Sequence, residues 1–381
     1  MRISSRAAVD AFIVMDVLEA ARQREAAGQK VIHMEIGQPA TPAPAAARAA
    51  LARAMEAAPL GYTVALGLPE LRARIARLYA DWYGIALDPA RVVVTAGSSA
   101  GFVLAFLALF EAGERVALGN PGYPSYRNIL RALDLVPELI DTGPETRFQP
   151  MPDLLPDRRF SGLLVASPSN PTSTMLDRAA LGALADACRA RGAVLISDEI
   201  YHGIQFDGRR PVTALEVDDG AVVINSFSKF FSMTGWRVGW MVLPAELIRP
   251  VERLGQNLFI CPPHAAQVAA LGAFEGMAEC EGHVARYAQN RALLVGGLEA
   301  AGFSRLAPCD GAFYLYADLT GISEDSRAFA AAMLAEAGVA ATPGLDFDPH
   351  RGARFLRFSF AGATADMADG VARIGRWMAQ R

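Results

Sequence analysis

Short apolar runs alternate with longer amphipathic segments through the middle of the chain. The runs are rich in β-branched residues and read RVVVTAG, ERVALGN, GLLVASP, AVLISDE, AVVINSF and RVGWMVL. Between them lie segments such as RAALGALADACRARG, whose apolar residues recur at helical spacing before a glycine. Strands that alternate with helices predict an α/β fold with a mostly parallel sheet covered on both faces. The last run follows a short connection, so we expect that it can pair antiparallel.

The pattern changes after about residue 285. A long helical segment, VARYAQNRALLVGGLEAAG, precedes two strand-like runs, GAFYLYADL and RFLRFSFA, and then a further helical segment. The N-terminal residues also have the pattern of an amphipathic helix. We therefore expect a large domain over residues 45–285 and a smaller α+β domain built from residues 1–44 and 286–381.

Composition indicates a soluble globular protein. Of 381 residues, 52% are hydrophobic and 20% are charged, and the net charge of −4 argues against a nucleic-acid partner. The stretch FVLAFLALF is too short to span a bilayer, and Asp10 and Asp16 interrupt the N-terminal apolar run, unlike in a signal peptide. The 4 cysteines form no CxxC pair, so we expect free thiols and a cytoplasmic location without membrane contact.

Polar residues follow directly after the strand-like runs. In open α/β sheets, ligands bind beyond the carboxyl ends of the strands, which meet at one edge. The residues at these ends are Gly97, Ser98 and Ser99, then Asn120, Pro121 and Tyr123, then Asn170, then Asp198 and Tyr201, and finally Ser226, Ser228 and Lys229. Arg237 can reach the same edge if its strand runs antiparallel. We expect these residues to form one site.

The chemistry of this set is that of an anion site beside a site for a planar heterocycle. Hydroxyls, a guanidinium and the start of the segment AGFVLAFLALF favour a phosphate, through Ser98, Ser99, Ser226, Ser228 and Arg237. A buried Asp198 needs a cationic partner such as a protonated ring nitrogen. Asn170 and Tyr201 can hydrogen-bond a phenolate oxygen, and Tyr123 can stack on a flat ring. Lys229 can form a Schiff base if its pKa is lowered. Together these features describe pyridoxal phosphate.

Several motifs in order resemble one known family. SFSKFFSMTGWRVG is similar to the lysine motif of class I/II aminotransferases of the aspartate-aminotransferase fold, called fold type I. PSNPTS, SDEIY, GYTVALGLPELR and FLRFSFA are similar to its other motifs, and the resemblance extends from IGQP at 36–39 to Arg357. It implies a mostly parallel seven-stranded sheet flanked by helices, a smaller α+β domain, and a pyridoxal-phosphate-dependent aminotransferase.

The resemblance also implies roles at the cofactor. Lys229 would hold it as an internal aldimine and then move the proton between Cα and C4′ in a ping-pong reaction. Asp198 would keep the pyridine nitrogen protonated, which makes the ring an electron sink. Asn170 and Tyr201 would bond the ring oxygen. The residues implied for the phosphate are Ser98, Ser99, Ser226 and Arg237.

Substrate and partner expectations follow from the same resemblance. Arg357 would clamp the α-carboxylate of an L-amino acid or 2-oxo acid, with the Gly37 N–H nearby. Tyr62 would reach the phosphate of a neighbouring subunit, which implies a homodimer with shared sites. No second basic residue can be assigned to a distal carboxylate, so a dicarboxylic substrate would need a cation from the neighbouring subunit.

Other interpretations of the same residues stay open. A C–S β-lyase would use the same cofactor and also begin with proton abstraction by Lys229. GSSAG, residues 97–101, satisfies G-x-S-x-G, so Ser99 could be a hydrolase nucleophile with Asp198 and His264 or His350. That reading gives Lys229 no role, and RVVVTAG comes too early in the sheet for a nucleophile elbow.

Two further alternatives carry less support in the sequence. Aminotransferase-like domains also act as ligand sensors fused to DNA-binding modules, but no basic helix-turn-helix segment precedes the domain. His202 stands four residues after Asp198, a spacing at which a helix could hold a metal, but no second histidine lies at ligand spacing. We therefore expect no metal site.

Overall fold

The computed structural model describes residues 2–381, in which strands and helices alternate as the apolar runs predict. The strands are β1 (Ile32–His33), β2 (Val92–Thr95), β3 (Arg115–Asn120), β4 (Val136–Asp141), β5 (Gly162–Ala166), β6 (Val194–Asp198), β7 (Val222–Ser226), β8 (Gly239–Val242), β9 (Tyr314–Asp318), β10 (Val339–Ala340), β11 (Thr342–Pro343) and β12 (Phe355–Ser359). The α-helices are α1 (Ile13–Ala26), α2 (Ala45–Ala57), α3 (Pro69–Tyr83), α4 (Gly97–Leu109), α5 (Pro124–Ala132), α6 (Arg178–Arg191), α7 (Ala245–Leu258), α8 (His264–Ala273), α9 (Met277–Ala300), α10 (Ser326–Ala332) and α11 (Thr364–Met378).

The central sheet confirms the predicted fold class. Within residues 2–381 it is a 7-stranded sheet in the order β2-β8-β7-β6-β5-β3-β4. The short connection after β7 returns β8 antiparallel to both β7 and β2, while the other neighbouring pairs are parallel. β4 lies at an edge and is only partly buried, which explains why VPELID shows no continuous apolar run.

Alternation along each strand divides the core into two layers. In β2, Val92 and Val94 pack into one hydrophobic cluster and Val93 into the other. In β7, Val223 and Ile224 divide in the same way. Because successive side chains point to opposite faces, a strand buried on both sides must be apolar at every position. The polar residues are thereby confined to the strand ends, where the site forms.

A smaller region brings the N-terminal residues against the last part of the chain. β9, β11 and β12 form an antiparallel sheet in the order β11-β12-β9, and β1 pairs parallel with β10. The long helix expected near residue 285 is α9, which begins earlier than its motif, at Met277. Residue 285 therefore lies inside a helix, and the domain boundaries stay a prediction. Among residues 2–381, no helix is both long enough and apolar enough to cross a bilayer.

Candidate active site

A cavity of about 280 Å³ lies at the carboxyl ends of the parallel strands. It gathers most of the residues that the sequence analysis selected, which are Gly37, Ser98, Ser99, Tyr123, Asn170, Asp198, Tyr201, Ser228, Lys229, Arg237 and Arg357. They come from loops, strand ends and a helix start between residues 37 and 357, and the fold brings them together. The cavity is therefore the candidate site.

Lys229 follows β7 and extends its amine into the cavity. Its Nζ donates a hydrogen bond of 2.6 Å to the backbone oxygen of Gly37 and lies 5.8 Å from the centre of the Tyr201 ring. Burial, together with the positive charges of Arg357 and Arg237, lowers the pKa of Lys229 to about 8. A neutral amine, which is the nucleophilic form, is thus accessible near neutral pH.

Asp198 ends β6 and is buried beside the hydroxyl of Tyr126. Tyr126 donates a hydrogen bond to Oδ2, and the backbone N–H of Ile200 donates one of 3.1 Å to Oδ1. Burial raises the pKa of Asp198 to about 6 in spite of these bonds and of the Lys229 charge. The carboxylate thus lacks a close cation, and a protonated ring nitrogen would supply one.

The first turn of α4 offers an anion site at the other end of the cavity. Ser98 and Ser99 belong to that turn, and no side chain caps its free N–H groups. Gly97 has a φ of +78°, and a Cβ there would overlap the Arg237 guanidinium. Glycine therefore allows the guanidinium to lie against the start of the helix, where a phosphate would meet both.

Arg357 lies on β12 and is 3% exposed. Its Nη1 donates to Asn170 Oδ1 at 2.8 Å, and its Nη2 donates to the backbone oxygen of Glu35. The guanidinium carbon lies 4.4 Å from the centre of the Tyr314 ring, while Nε is buried without a hydrogen-bond partner. An unsatisfied N–H on a fixed guanidinium is a ready donor to a carboxylate.

Fixed positive charges outnumber the carboxylates around this cavity. Lys229, Arg237 and Arg357 all line it, and none has a carboxylate oxygen within 4.0 Å among residues 2–381. The carboxylates that line it are those of Asp198 and Asp346. An excess of fixed positive charge suits the binding of a phosphate dianion together with a substrate carboxylate.

Comparison with known proteins identifies the family. The model of the family described as "Aminotransferase class I and II" matches residues 29–374. This chain belongs to that family. A protein of Mycobacterium tuberculosis named "Valine--pyruvate aminotransferase" is 49% identical over 382 residues, which cover 99% of this chain and 98% of the relative.

Solved structures agree with the family assignment. The crystal structure of an aminotransferase from Mycobacterium tuberculosis superposes with a TM-score of 0.98 at 48% identity, covering 100% of both chains. The aspartate aminotransferase of Thermus thermophilus, solved with maleate, superposes with a TM-score of 0.91 at 29% identity, over 99% of this chain and 100% of that one. The fold is thus that of the fold type I aminotransferases, and this chain is an aminotransferase.

The strand-end residues Gly97, Asn120 and Pro121 do not line the cavity of this aminotransferase, and two residues that were given roles at the cofactor, Ser226 and Tyr62, also lie outside it. Ser226 is buried behind Ser228, with 2.8 Å between the two hydroxyl oxygens, and donates to the backbone oxygen of Val238. It therefore supports Ser228 rather than facing the anion site. Tyr62 is 83% exposed and does not reach the cavity of its own chain. Its expected contact with a neighbouring subunit stays a prediction.

The sequence analysis missed several residues that complete the site. Tyr126 bonds Asp198, and the Tyr314 hydroxyl lies 2.7 Å from the Tyr201 hydroxyl. Phe12, from the segment before α1, also lines the cavity, as does Asp346 from a loop of the smaller region. Tyr126 lies in the first turn of α5, three residues after Tyr123, and this spacing could have indicated it. The others depend on contacts between distant parts of the chain and leave no local signal.

Neither the histidines of the hydrolase interpretation nor His202 lies where its expected role would need it. His264 bonds the backbone oxygen of Gly61, and His350 contacts Asp141, so neither reaches Ser99 in the cavity. His202 is buried between the Tyr83 hydroxyl and the backbone oxygen of Ser167, and burial lowers the pKa of His202 to about 3. It is a neutral structural residue.

Proposed function

We propose that this aminotransferase uses pyridoxal phosphate to move an amino group from an L-amino acid to a 2-oxo acid by a ping-pong mechanism. One observation carries the proposal. A lysine with a lowered pKa, a buried carboxylate without a cation, and two arginines without ion-pair partners surround one cavity. Each is an unmet electrostatic requirement that the cofactor or the substrate would satisfy. When bound, pyridoxal phosphate supplies the carbonyl carbon that accepts the amino group and a ring that withdraws electrons.

The chain's own residues divide the work of binding that group. Its phosphate would lie at the first turn of α4, held by Ser98, Ser99, Ser228 and Arg237. Asp198 would accept a hydrogen bond from the ring nitrogen and hold the proton there. Asn170 and Tyr201 would donate to the ring oxygen, and Tyr123 would cover one face of the ring. Tyr126 keeps Asp198 in place through its hydroxyl.

Lys229 and Arg357 would act on the substrate. We propose that Lys229 would hold the cofactor through Nζ, and that its neutral amine would take the proton from the substrate Cα. Arg357 would bind the α-carboxylate through Nε and the guanidinium N–H groups that Asn170 and the backbone oxygen of Glu35 leave free. Asn170 contacts Nη1 and so orients the guanidinium. This arrangement holds the Cα–H bond near the base.

The first substrates to test follow from the name of the 49% identical relative, which specifies valine and pyruvate. With both present, we expect alanine and 3-methyl-2-oxobutanoate in equal amounts. With valine alone, one equivalent of the oxo acid per site should form and then stop, because the cofactor keeps the amino group. Double-reciprocal plots at several pyruvate concentrations should be parallel. Intersecting lines, or product beyond one equivalent without pyruvate, would exclude the ping-pong mechanism.

The C–S β-lyase is tested with the same enzyme. A lyase would release pyruvate, ammonia and a thiol from cystathionine and would transfer no amino group from valine. The names of the relatives favour transfer. Cleavage of cystathionine without transfer from valine would reverse this preference.

We also propose that two copies of the chain share their sites. The side chains of Tyr62, Val64, Leu258 and Ile260 are exposed and apolar. A hydrogen bond of 3.4 Å from the Thr63 N–H to the Cys261 sulfur brings their two segments together, so we take these side chains as one patch. A monomer rarely leaves such side chains clustered in water, and a second copy would cover them. Mixing inactive Lys229→Ala chains with Tyr62→Ala chains tests sharing, because one site of a mixed dimer then has both native residues. Activity that never exceeds that of the Tyr62→Ala chains alone would refute it.

A further inference from the structure

The N-terminal segment forms one wall of the candidate active site. Phe12, Val14 and Met15 line the same cavity as Lys229, and the Phe12 ring centre lies 6.1 Å from that of Tyr123. Ile36 and Phe347 continue this surface. The side of the cavity that the segment provides is therefore apolar.

A carboxylate from near the other end of the sequence, that of Asp346, holds this wall in place. The first turn of α1 has no side-chain cap of its own, because Phe12 occupies the N-cap position. Asp346 supplies the missing acceptor: its Oδ1 takes the Ile13 N–H at 3.0 Å and its Oδ2 takes the Val14 N–H at 3.3 Å, across 333 and 332 positions. The helix dipole adds to these bonds, since a negative charge is favoured at a helix N-terminus.

Contacts of its own backbone and of the next residue hold Asp346 in position. It is buried, and its backbone oxygen accepts a hydrogen bond of 2.8 Å from Arg127 Nη2. The next residue, Phe347, places its ring centre 4.5 Å from the guanidinium carbon of Arg357. The loop that positions the N-terminal wall thus also contacts the arginine proposed to bind the substrate carboxylate.

We propose that residues 12–15 select amino acids with uncharged apolar side chains, and that Asp346 is the positioning residue that docks them. The inference rests on the proposed function and names its substrate class. Among residues 2–381, the cations that line the cavity are Lys229, Arg237 and Arg357, and each already has a role in binding the cofactor or the α-carboxylate. A substrate side chain bound with its carboxylate on Arg357 would meet Phe12, Val14 and Met15 instead of a further charge. Burial of each methylene on this wall should raise kcat/KM by up to about fourfold.

The test is a series of unbranched donors, alanine, 2-aminobutyrate, norvaline and norleucine, each with one more methylene. For the native enzyme, kcat/KM should rise along the series, and aspartate should be poorer than 2-aminobutyrate. Phe12→Ala removes the aromatic side chain of the wall, and Asp346→Asn removes the negative charge and one of the two acceptor oxygens that anchor it. Both variants should reduce the norvaline-to-alanine ratio of kcat/KM by about threefold or more, mostly through KM, because the loss of contact grows with chain length.

Asp325→Asn is the matched control. Asp325 caps its own helix, α10, by accepting from the N–H groups of Arg327 and Ala328, so the same chemical change is made at a helix start that does not line the cavity. It should leave the norvaline-to-alanine ratio at the native value.

The outcomes separate this inference from the proposed function. Failure of the native enzyme to transfer an amino group from any donor would refute the proposed function. The inference alone would be refuted if the native enzyme transfers from every donor and the Phe12→Ala variant has the same norvaline-to-alanine ratio of kcat/KM as the native enzyme. If Asp346→Asn does not fold, as thermal melting would show, Phe12→Ala still decides whether the wall selects substrates. A folded Asp346→Asn enzyme with the native ratio would refute the positioning role.

Discussion

Replacing Arg357 by lysine tests the carboxylate clamp while keeping the positive charge. Lysine offers a single ammonium group, which cannot bond the backbone oxygen of Glu35 and Asn170 Oδ1 and also present two donors to a carboxylate. One charge-assisted hydrogen bond is worth about 1.5–3 kcal/mol. Its loss should lower kcat/KM for valine by about 10- to 150-fold.

The assay compares ligands that keep or lack the carboxylate. In the Arg357→Lys enzyme, the inhibition constant of 3-methylbutanoate, which has a carboxylate and no amine, should rise by about the same factor. The inhibition constant of isobutylamine, which lacks the carboxylate, should stay within about twofold. Arg354→Lys is the matched control, because Arg354 is exposed and does not line the cavity. If both inhibitors weakened equally, the arginine would act on the whole site and the clamp would be misassigned.

Three further outcomes are expected. Lys229→Ala should abolish both amino transfer and the covalent adduct that borohydride traps at this position; retained turnover would rule out the proposed base. The hydrogen bond to Glu35 raises the pKa of His33 from 6.5 to about 9, so its contribution to the free energy of unfolding should be full below pH 6.5 and disappear as pH rises through about 9. Urea titrations of His33→Gln should show a flatter pH dependence, and an unchanged profile would disprove the link. Leu294→Ala should lower the free energy of unfolding by about 2–5 kcal/mol, because this side chain is fully buried. Leu293→Ala in the same helix should change it by no more than about 0.5 kcal/mol, because Leu293 is 40% exposed. Similar losses in both variants would contradict the assignment of the buried face of α9.

The strands of the central sheet were predictable where both of their faces are buried. β2, β6 and β7 are apolar up to their last one or two residues, where their sequences change to polar residues beside the site. β4 was missed because an edge strand that is half exposed, with Pro137 in it, shows neither a continuous run nor a clean alternation.

The site was predictable to the extent that it depends on strand ends. Asp198 and Lys229 lie where the alternation of strands and helices put them, and both face one cavity. Ser226 shows the limit, since the pattern places a serine at the strand end without telling which hydroxyl faces the ligand. Phe12 and Asp346 could not be foreseen, because their contact joins distant segments and follows only from tertiary packing. The roles of all these residues stay proposals until variants are measured.

The pairing of β1 with β10 and the capping of α1 by Asp346 also bear on how the chain is made. The N–H of Ile13 emerges from the ribosome 333 positions ahead of the carboxylate that receives it. At about 5–20 residues per second, this segment waits roughly 20–70 s without its partners. The apolar side chains of Ile32 and Met34, which are buried in the finished protein, are unprotected for almost as long. The chain therefore keeps early hydrophobic segments without their partners through most of its translation.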